Sequence, residues 1–289
     1  MKTQEINILN SFSHEGKGGN PAAVVLNGDN LTPQEMQNLA QKAGLSETAF
    51  VSSSSNAAFK LDFFTPTKQI AHCGHATVAT FSYLKKMGLV KNETSSKETI
   101  DGIRKIYFDG TRAYMEQESP KFFQLTPDDK GAILEALNLK ENDLLAEPEI
   151  VNTGNSFLIV HVNEQTLAVI NPVLEIISEI SARYNLIGFY VFAKSDDRLF
   201  DATTRMFGPY YGIEEESATG MAAGPLACYL DRYGDAPKTE YNISQGKYMK
   251  TPSPSHIHIK LDKNGDKINS LFAGGDAYVS DKITLNIDG

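Results

Sequence analysis

The sequence predicts an α+β fold made of two pseudo-symmetric halves, each a mostly antiparallel sheet or barrel wrapped around a central helix. Short motifs recur in the same order in both halves, which indicates a duplication. Helical spacing of apolar residues and strand-like alternation occur at matching places in the two copies. At 289 residues the chain has room for two domains of ordinary size.

The two copies agree in the order of their elements. Each has a Gly-Asn motif that leads into a strand, then a capped helix, a further strand and a central helix headed by glycine. The spacing between matched motifs grows steadily along the chain, as expected of collinear copies with small insertions. The matched segments are 18–26 with 153–162, 46–53 with 188–195, and 74–88 with 220–234.

The capped helix of each copy has recognisable end signals. Thr32 and Glu35 have capping-box spacing around a proline at the first helical position, and Gly44 is placed to end that helix. In the second copy, Ile-Asn-Pro at 170–172 opens the apolar pattern VLEIISEISARY, so Asn171 is its predicted N-cap.

Other segments predict hairpins and a division of the chain. The stretches 105–117 and 255–279 alternate and turn at glycine, as antiparallel hairpins do. A boundary is predicted near Ser-Pro at 119–120, before a further helix at 125–138. The predicted halves are therefore 1–119 and 120–289.

The head of the first central helix is unusually rich in reactive side chains. His72, Cys73, Gly74 and His75 lie at or just before its first turn. Backbone N–H groups have no intrahelical partner there, and the helix dipole is positive, so the place suits an anion. The second copy has Thr-Gly-Met at 219–221 in the equivalent place.

A carboxylate at Glu47 breaks the symmetry of the repeat. SETAFV at 46–51 starts a strand, whereas the matching NLIGF at 185–189 has no ionisable group. A group present in one half only is not explained by duplicated architecture. We therefore interpret Glu47 as a functional group, since a positioned carboxylate can transfer protons as a general acid or base.

Four motifs together resemble the phenazine-biosynthesis (PhzF-like) isomerase family. They are GNPAAVV at 19–25, SETAFV at 46–51, CGHAT at 73–77 and ESATGMAA at 216–223. The resemblance covers nearly the whole chain. It implies the diaminopimelate-epimerase-like fold and a cofactor-independent isomerase of biosynthetic type. It also implies a homodimer that acts on a small cyclic or amino-acid-like carboxylate.

The resemblance also implies roles for single residues. Glu47 takes the place of the family's catalytic acid/base, and His75 that of the GHAT histidine. Glu216 replaces an aspartate, while Met221 replaces a serine and cannot donate a hydrogen bond. The positions expected to bind substrate are Ser46, Gly19, Asn20, Cys73, Gly74, Thr219, Gly220 and Met221.

Two alternatives stay open from the residues. In a cysteine-dependent epimerase or dehydratase of the same fold, Cys73 would move the proton; its counterpart is Thr219, so a second thiol is missing. Cys228 lies two turns into its helix, where we expect it to be packed. The other alternative is a catalytically silent protein that binds small anions.

Bulk composition limits the partners. A net charge of −9 argues against nucleic acid and anionic membranes, which both require a basic surface, but allows a small anionic substrate. Two cysteines and an N-terminus without an apolar signal-peptide core indicate a cytoplasmic protein with free thiols. The spacing of cysteines and histidines predicts no metal site, and dinucleotide and P-loop motifs are missing, so no cofactor is expected.

Overall fold

The computed structural model describes residues 2–126, 128–234 and 238–287. Within these ranges the chain forms six α-helices and eighteen strands. The helices are α1 Pro33–Ala43, α2 Gly74–Lys86, α3 Asp129–Ala136, α4 Glu164–Val169, α5 Leu174–Tyr184 and α6 Gly220–Tyr233. The strands are β1 Thr3–Ser11, β2 Asn20–Val25, β3 Thr48–Ser52, β4 Phe59–Phe64, β5 Gln69–Ile70, β6 Thr94–Thr99, β7 Gly102–Asp109, β8 Arg112–Glu118, β9 Lys121–Gln124, β10 Glu149–Asn152, β11 Ser156–His161, β12 Gly188–Lys194, β13 Ala202–Gly208, β14 Ile213–Glu216, β15 Glu240–Gln245, β16 Ser255–Asn264, β17 Lys267–Gly275 and β18 Ala277–Asn286.

The chain divides into two compact units. The first contains the residues up to Met115 together with those from Gly274 onward, and the second is Glu116–Ala273. The sequence places the boundary at 119–120 and assigns the C-terminal residues to the second half. In the structure, β18 instead pairs antiparallel along the whole of β1, which ties the end of the chain to the first unit.

Strand pairing in the first unit is mostly antiparallel. β1 lies between β18 and β2, and both pairings are antiparallel. β2 then pairs in parallel with β3, which pairs antiparallel with β4. β4 pairs in parallel with β6, and β6, β7 and β8 follow in antiparallel order. Each parallel step is bridged by a helix, α1 for the first and α2 for the second.

The second unit repeats this order. β9, β10 and β11 are antiparallel, and β11 pairs in parallel with β12 across α5. β12 and β13 are antiparallel, β13 pairs in parallel with β15 across α6, and β15 pairs antiparallel with β16. The predicted duplication is therefore confirmed at the level of strand order and direction.

Helix α2 is central to the first unit because it is buried along most of its length. All eight residues of 75–82 are buried. Successive strand residues point to opposite faces. On β2, Ala22 and Val24 pack in the cluster that contains α2, whereas Ala23 and Val25 pack with α1.

The second unit buries its helices in the same way. Eight consecutive residues of α6, at 222–229, are buried. Leu158, Val160, Phe189 and Val191 pack in one cluster with the apolar face of α5. Each unit therefore has a central helix whose head begins in the interior, as the sequence predicts.

The end signals of α1 are confirmed. Thr32 Oγ1 accepts a hydrogen bond from Glu35 N at 3.3 Å, and the Glu35 carboxylate accepts one from Thr32 N at 2.7 Å. Gly44 ends the helix with φ of 65°, a left-handed conformation that glycine adopts without strain. These hydrogen bonds to Thr32, together with the ammonium of Lys2, lower the pKa of Glu35 to about 2.

The N-cap predicted for the equivalent helix is wrong. α5 begins at Leu174, and its N-cap is Val173 rather than Asn171. The preceding segment is held by the end of α3 instead: Val173 N donates to Ala136 O at 2.8 Å, and the Asn138 side chain donates to Asn171 O. These contacts keep the segment extended for two residues longer than the sequence suggests.

The other predicted elements occur with shifted ends. The helix expected at 125–138 is α3, from Asp129 to Ala136, and residue 127 lies outside the described residues. β7 and β8 form the first predicted hairpin, and a turn with Gly265 at φ of 62° separates β16 from β17. Among the described residues, no helix has the length and apolar character needed to cross a bilayer.

The capping box gives a first test of this local structure. Replacement Thr32→Ala removes the hydroxyl that accepts from Glu35 N, so the free energy of unfolding should fall by about 1 kcal/mol. Chemical denaturation followed by circular dichroism measures the change. The exposed Thr251, outside the helices and strands, provides the control Thr251→Ala, which should leave the midpoint unchanged. An equal effect of the two replacements would contradict the role of the cap.

Candidate active site

Cys73 and the first turn of α2 form the centre of the site in the first unit. Cys73 is the N-cap and is extended, with φ of −143° and ψ of 123°. Its carbonyl accepts from Thr77 N at 3.3 Å and from Thr77 Oγ1 at 2.6 Å, which fixes the start of the helix. Gly74 and His75 follow as the first helical residues. Their turn carries the positive end of the helix dipole.

Glu47 lies beside this helix head. Its carbonyl accepts from Ala23 N at 3.0 Å, which extends the β2–β3 ladder by one residue and fixes the backbone that carries the carboxylate. Glu47 Oε2 is 3.2 Å from His75 Nε2, and both side chains are largely buried, at 18% and 7% exposed. The carboxylate and imidazole that the sequence assigns to catalysis are therefore brought together.

His75 lies between two other reactive groups. Its Nε2 faces Glu47, and its Nδ1 is 3.5 Å from Cys73 Sγ. A neutral imidazole carries its proton on one of these two nitrogens, so it offers one donor and one acceptor to the groups beside it.

The same three side chains could also hold a metal ion. Ligand atoms of Glu47, Cys73 and His75 lie within 4.8 Å of one another. The sequence predicts no metal site, because the chain has two cysteines and no CxxC pair. A thiolate, an imidazole and a carboxylate suit zinc. However, the positive helix end opposes a cation here, so we do not assign a metal to the site.

The remaining candidates of the first unit lie at strand starts. Ser46 is exposed and immediately precedes Glu47. Gly19 has φ of 85°, and a Cβ at that position would lie 2.4 Å from Ser11 O, so glycine is required there. Asn20 begins β2 and is buried, and its carbonyl accepts from Ser11 Oγ at 3.1 Å.

In the second unit, the head of α6 is held by a side chain that sequence reasoning missed. Gln245 is fully buried at the end of β15. Its Nε2 donates to Glu216 O at 2.7 Å and to Thr219 Oγ1 at 3.1 Å, and its Oε1 accepts from Thr219 N at 3.1 Å. The strand pattern could have identified Gln245 as an inward-facing polar residue, because it continues the alternation of Tyr241 and Ile243.

This network extends to the catalytic candidate of the second unit. Thr219 Oγ1 donates a short hydrogen bond to the Glu216 carboxylate. Tyr190 OH donates to Gln245 Oε1 at 2.9 Å, and burial raises the pKa of Tyr190, so its hydroxyl stays a donor. Glu216, Thr219 and Gln245 are thus one connected polar cluster in an otherwise apolar region.

Gly220 and Met221 complete the head of α6. Gly220 O accepts from Gln117 Nε2 at 2.9 Å. Met221 Sδ is 3.5 Å from Asn155 Nδ2, so the thioether that replaces the family's serine has a polar neighbour as a weak acceptor.

Cys228 is packed, as the sequence predicts. It is fully buried within α6, and burial raises the pKa of its thiol to about 12. A thiol of this kind stays protonated and unreactive.

Removal of the Gln245 amide tests the α6 head. Gln245→Leu leaves several buried partners without their hydrogen bonds, so the free energy of unfolding should fall by about 1–3 kcal/mol. Thermal and chemical denaturation measure the loss. Gln34→Leu, on the exposed side of α1, is the control and should change stability little. Equal stability of Gln245→Leu and the native protein would show that the network contributes nothing.

Comparison with known proteins identifies the family. A family profile described as phenazine biosynthesis-like protein (PhzC-PhzF) matches residues 9–282. An uncharacterized isomerase of Clostridium acetobutylicum is 32% identical, over 88% of this chain and 89% of its own. The uncharacterized isomerase YfhB of Bacillus subtilis is 30% identical, over 98% of this chain and 99% of its own.

Solved structures agree with this result. The PhzF-family phenazine biosynthesis protein of Bacillus anthracis is 26% identical, with a TM-score of 0.87, over 99% of this chain and all of its own. A hydroxyproline epimerase from Agrobacterium vitis, 11% identical, shares the fold with a TM-score of 0.59, over 99% of this chain and 93% of its own. The fold is therefore the diaminopimelate-epimerase-like fold that the resemblance implies. Matched by the profile over most of its length, the chain belongs to the phenazine biosynthesis-like protein family and is an isomerase of that family.

Proposed function

We propose that this isomerase moves a proton within a small carboxylate, of cyclic or amino-acid-like form, by glutamate acid/base catalysis and without a cofactor. The observation that carries the proposal is the Glu47 carboxylate, 3.2 Å from His75 Nε2 at the head of the buried helix α2. A positioned carboxylate beside a positive helix end combines a base with a place for negative charge.

In the proposed reaction, Glu47 removes a proton from a C–H group and returns it at another carbon. Negative charge spreads over the substrate while the proton is on Glu47. The first-turn N–H groups at Gly74 and His75 stabilise that charge without reorganisation. His75 keeps the carboxylate oriented, since its Nε2 lies within hydrogen-bonding reach of Oε2.

The other candidates of the first unit have proposed binding roles. Ser46, Gly19 and Asn20 would contact the substrate near Glu47, and Cys73 and Gly74 would contact its anionic group.

For the second unit, we propose that the head of α6 also binds an anionic group. That group would be surrounded by Thr219, Gly220 and Met221. Glu216 would be the catalytic carboxylate of this unit. The short hydrogen bond from Thr219 to Glu216 supports this role, because it orients the carboxylate. Met221 has no hydrogen to donate to that group, and its Sδ is a weak acceptor 3.5 Å from Asn155 Nδ2.

A second candidate is the thiol-based reaction. Cys73 Sγ lies 3.5 Å from His75 Nδ1, which is the geometry of a thiol activated by a base. Against a two-thiol epimerase, the equivalent position is Thr219, whose hydroxyl is bound to Glu216. A dehydratase with one thiol remains the rival. A silent anion-binding protein is disfavoured by relatives that are named isomerases.

The setting of the enzyme is also a proposal. We expect a homodimer in the cytoplasm with a small anionic substrate and without a nucleic-acid or membrane partner. The net charge of −9 supports the absence of polyanionic partners.

Paired replacements test the mechanism. Glu47→Gln keeps the shape of the side chain and removes the base, so turnover should fall by at least about 100-fold. Cys73→Ser should keep most of the activity. The measurement is proton NMR in deuterated water during a screen of small cyclic carboxylates and amino acids. Solvent deuterium should appear at one carbon of the product when the site exchanges with water.

Glu93→Gln is the matched control, because Glu93 is an exposed glutamate of the same unit. It should leave turnover unchanged. An inactive Cys73→Ser beside an active Glu47→Gln would overturn the mechanism and favour the dehydratase or epimerase.

A further inference from the structure

Lys97 is a buried cation that the proposed reaction does not use. It lies on β6, and its side chain is fully buried. Its Nζ is 2.7 Å from Thr77 Oγ1 and 3.0 Å from His72 Nδ1, and it lies 5.2 Å from the centroid of the Phe63 ring. Lysine is almost never fully buried without a paired negative charge, so this position requires an explanation.

The duplication does not explain Lys97. β6 pairs in parallel with β4, where Lys97 faces Phe59, the first residue of that strand. In the second unit, Ile243 of β15 faces Ala202, the first residue of β13. The equivalent position is therefore apolar in the other copy. As with Glu47, a charged group present in one unit only points to the site rather than to the fold.

The charge on Lys97 is set by its surroundings. Its pKa is lowered to about 7, mainly by burial; Arg104 also lowers it, while Cys73 and Asp101 raise it. Burial and the charges of Lys97 and Arg104 lower the pKa of His72 to about 3. Near neutral pH, His72 is thus a neutral acceptor, and Lys97 is the group that changes its charge.

Lys97 acts on the helix head through two partners. His72 immediately precedes the N-cap Cys73. Thr77 accepts from Lys97 and donates to Cys73 O at 2.6 Å. Lys97 therefore connects His72, the residue before the cap, to Thr77 in the first turn.

We propose that Lys97 is a positioning residue for the head of α2, where its buried ammonium holds His72 and Thr77 in place. The same charge strengthens the binding of an anionic group at the N–H groups of Gly74 and His75. The inference rests on the proposed function, in which a carboxylate binds there. It predicts that anion affinity falls as Lys97 loses its proton.

If Lys97 served only to stabilise the fold, its replacement would lower the melting temperature. The pKa of Lys97 is about 7 in the folded state and 10.5 for a free lysine, so the unfolded chain binds more protons between these values. Stability from this group therefore rises with pH from about 7 to 10.5, and the full burial penalty is present below 7. Lys97→Met removes that penalty and should not lower the melting temperature at about pH 6.

Anion binding gives the functional test. Benzoate, a small cyclic carboxylate, is titrated into the full chain at constant ionic strength by calorimetry, and amide shifts of 73–76 locate it. For the native protein, Kd should increase about 10-fold from about pH 6 to about pH 8.5, as expected for loss of one nearby charge. For Lys97→Met, Kd at the lower pH should already be about 10-fold higher and should not change with pH.

Two further measurements complete the test. Lys105→Met, on the exposed face of β7, is the control and should retain the native affinity and its pH dependence. In the native protein labelled with ¹³C-lysine, one Cε resonance should titrate near the midpoint of the affinity change. This readout applies even when Lys97→Met fails to fold.

The outcomes separate the two proposals. If the native protein binds benzoate at 73–76 but Lys97→Met keeps the native affinity and pH dependence, the role of Lys97 is wrong and the anion site stands. A native protein that does not bind benzoate there overturns both. The absence of a lysine resonance that titrates near neutral pH overturns the role of Lys97 alone.

Discussion

The burial of each central helix from its first turn is the constraint on which the sites depend. A helix head leaves N–H groups without intrahelical partners, and in the interior water cannot satisfy them. Residues 75–82 of α2 and 222–229 of α6 are buried, so both heads require polar partners from elsewhere in their unit. Charged and polar groups interact more strongly in such a region than in water, because its dielectric constant is low.

The polar groups around the two helix heads differ. In the second unit, the neutral amide of Gln245 uses both ends to hold Thr219 and the Glu216 carbonyl, and Thr219 donates to the Glu216 carboxylate. In the first unit, the Glu47 carboxylate lies 3.2 Å from His75 Nε2, and Lys97 Nζ donates to Thr77 Oγ1 in the same turn. The two units have the same strand order, and their charged groups lie at positions where the two copies differ in sequence. A buried lysine lowers stability at neutral pH, so its presence is consistent with a role in binding rather than in folding.

Local patterns in the sequence determined most of the architecture. The capping box of α1, the glycine-headed central helices and the repeat of motifs are set by residues close together in the chain, so they could be predicted without tertiary contacts. Motifs assigned Glu47 and His75 to the site and the asymmetry of the repeat singled out Glu47, whereas the contact between the two side chains was not predicted. The N-cap of α5 was not, because contacts with α3 rather than local propensity decide where that helix begins.

Tertiary structure alone decided the remainder, for physical reasons that spacing does not encode. The last strand joins the first unit because β18 pairs with β1, a contact between the two ends of the chain. The proximity of Cys73 to both Glu47 and His75 depends on where β3 lies beside α2. Lys97 resembles a surface lysine in sequence, and only the packing of β6 against α2 and Phe63 buries its charge and lowers its pKa to about 7. Sequence thus determined which groups are present, whereas the fold determined which of them are desolvated together.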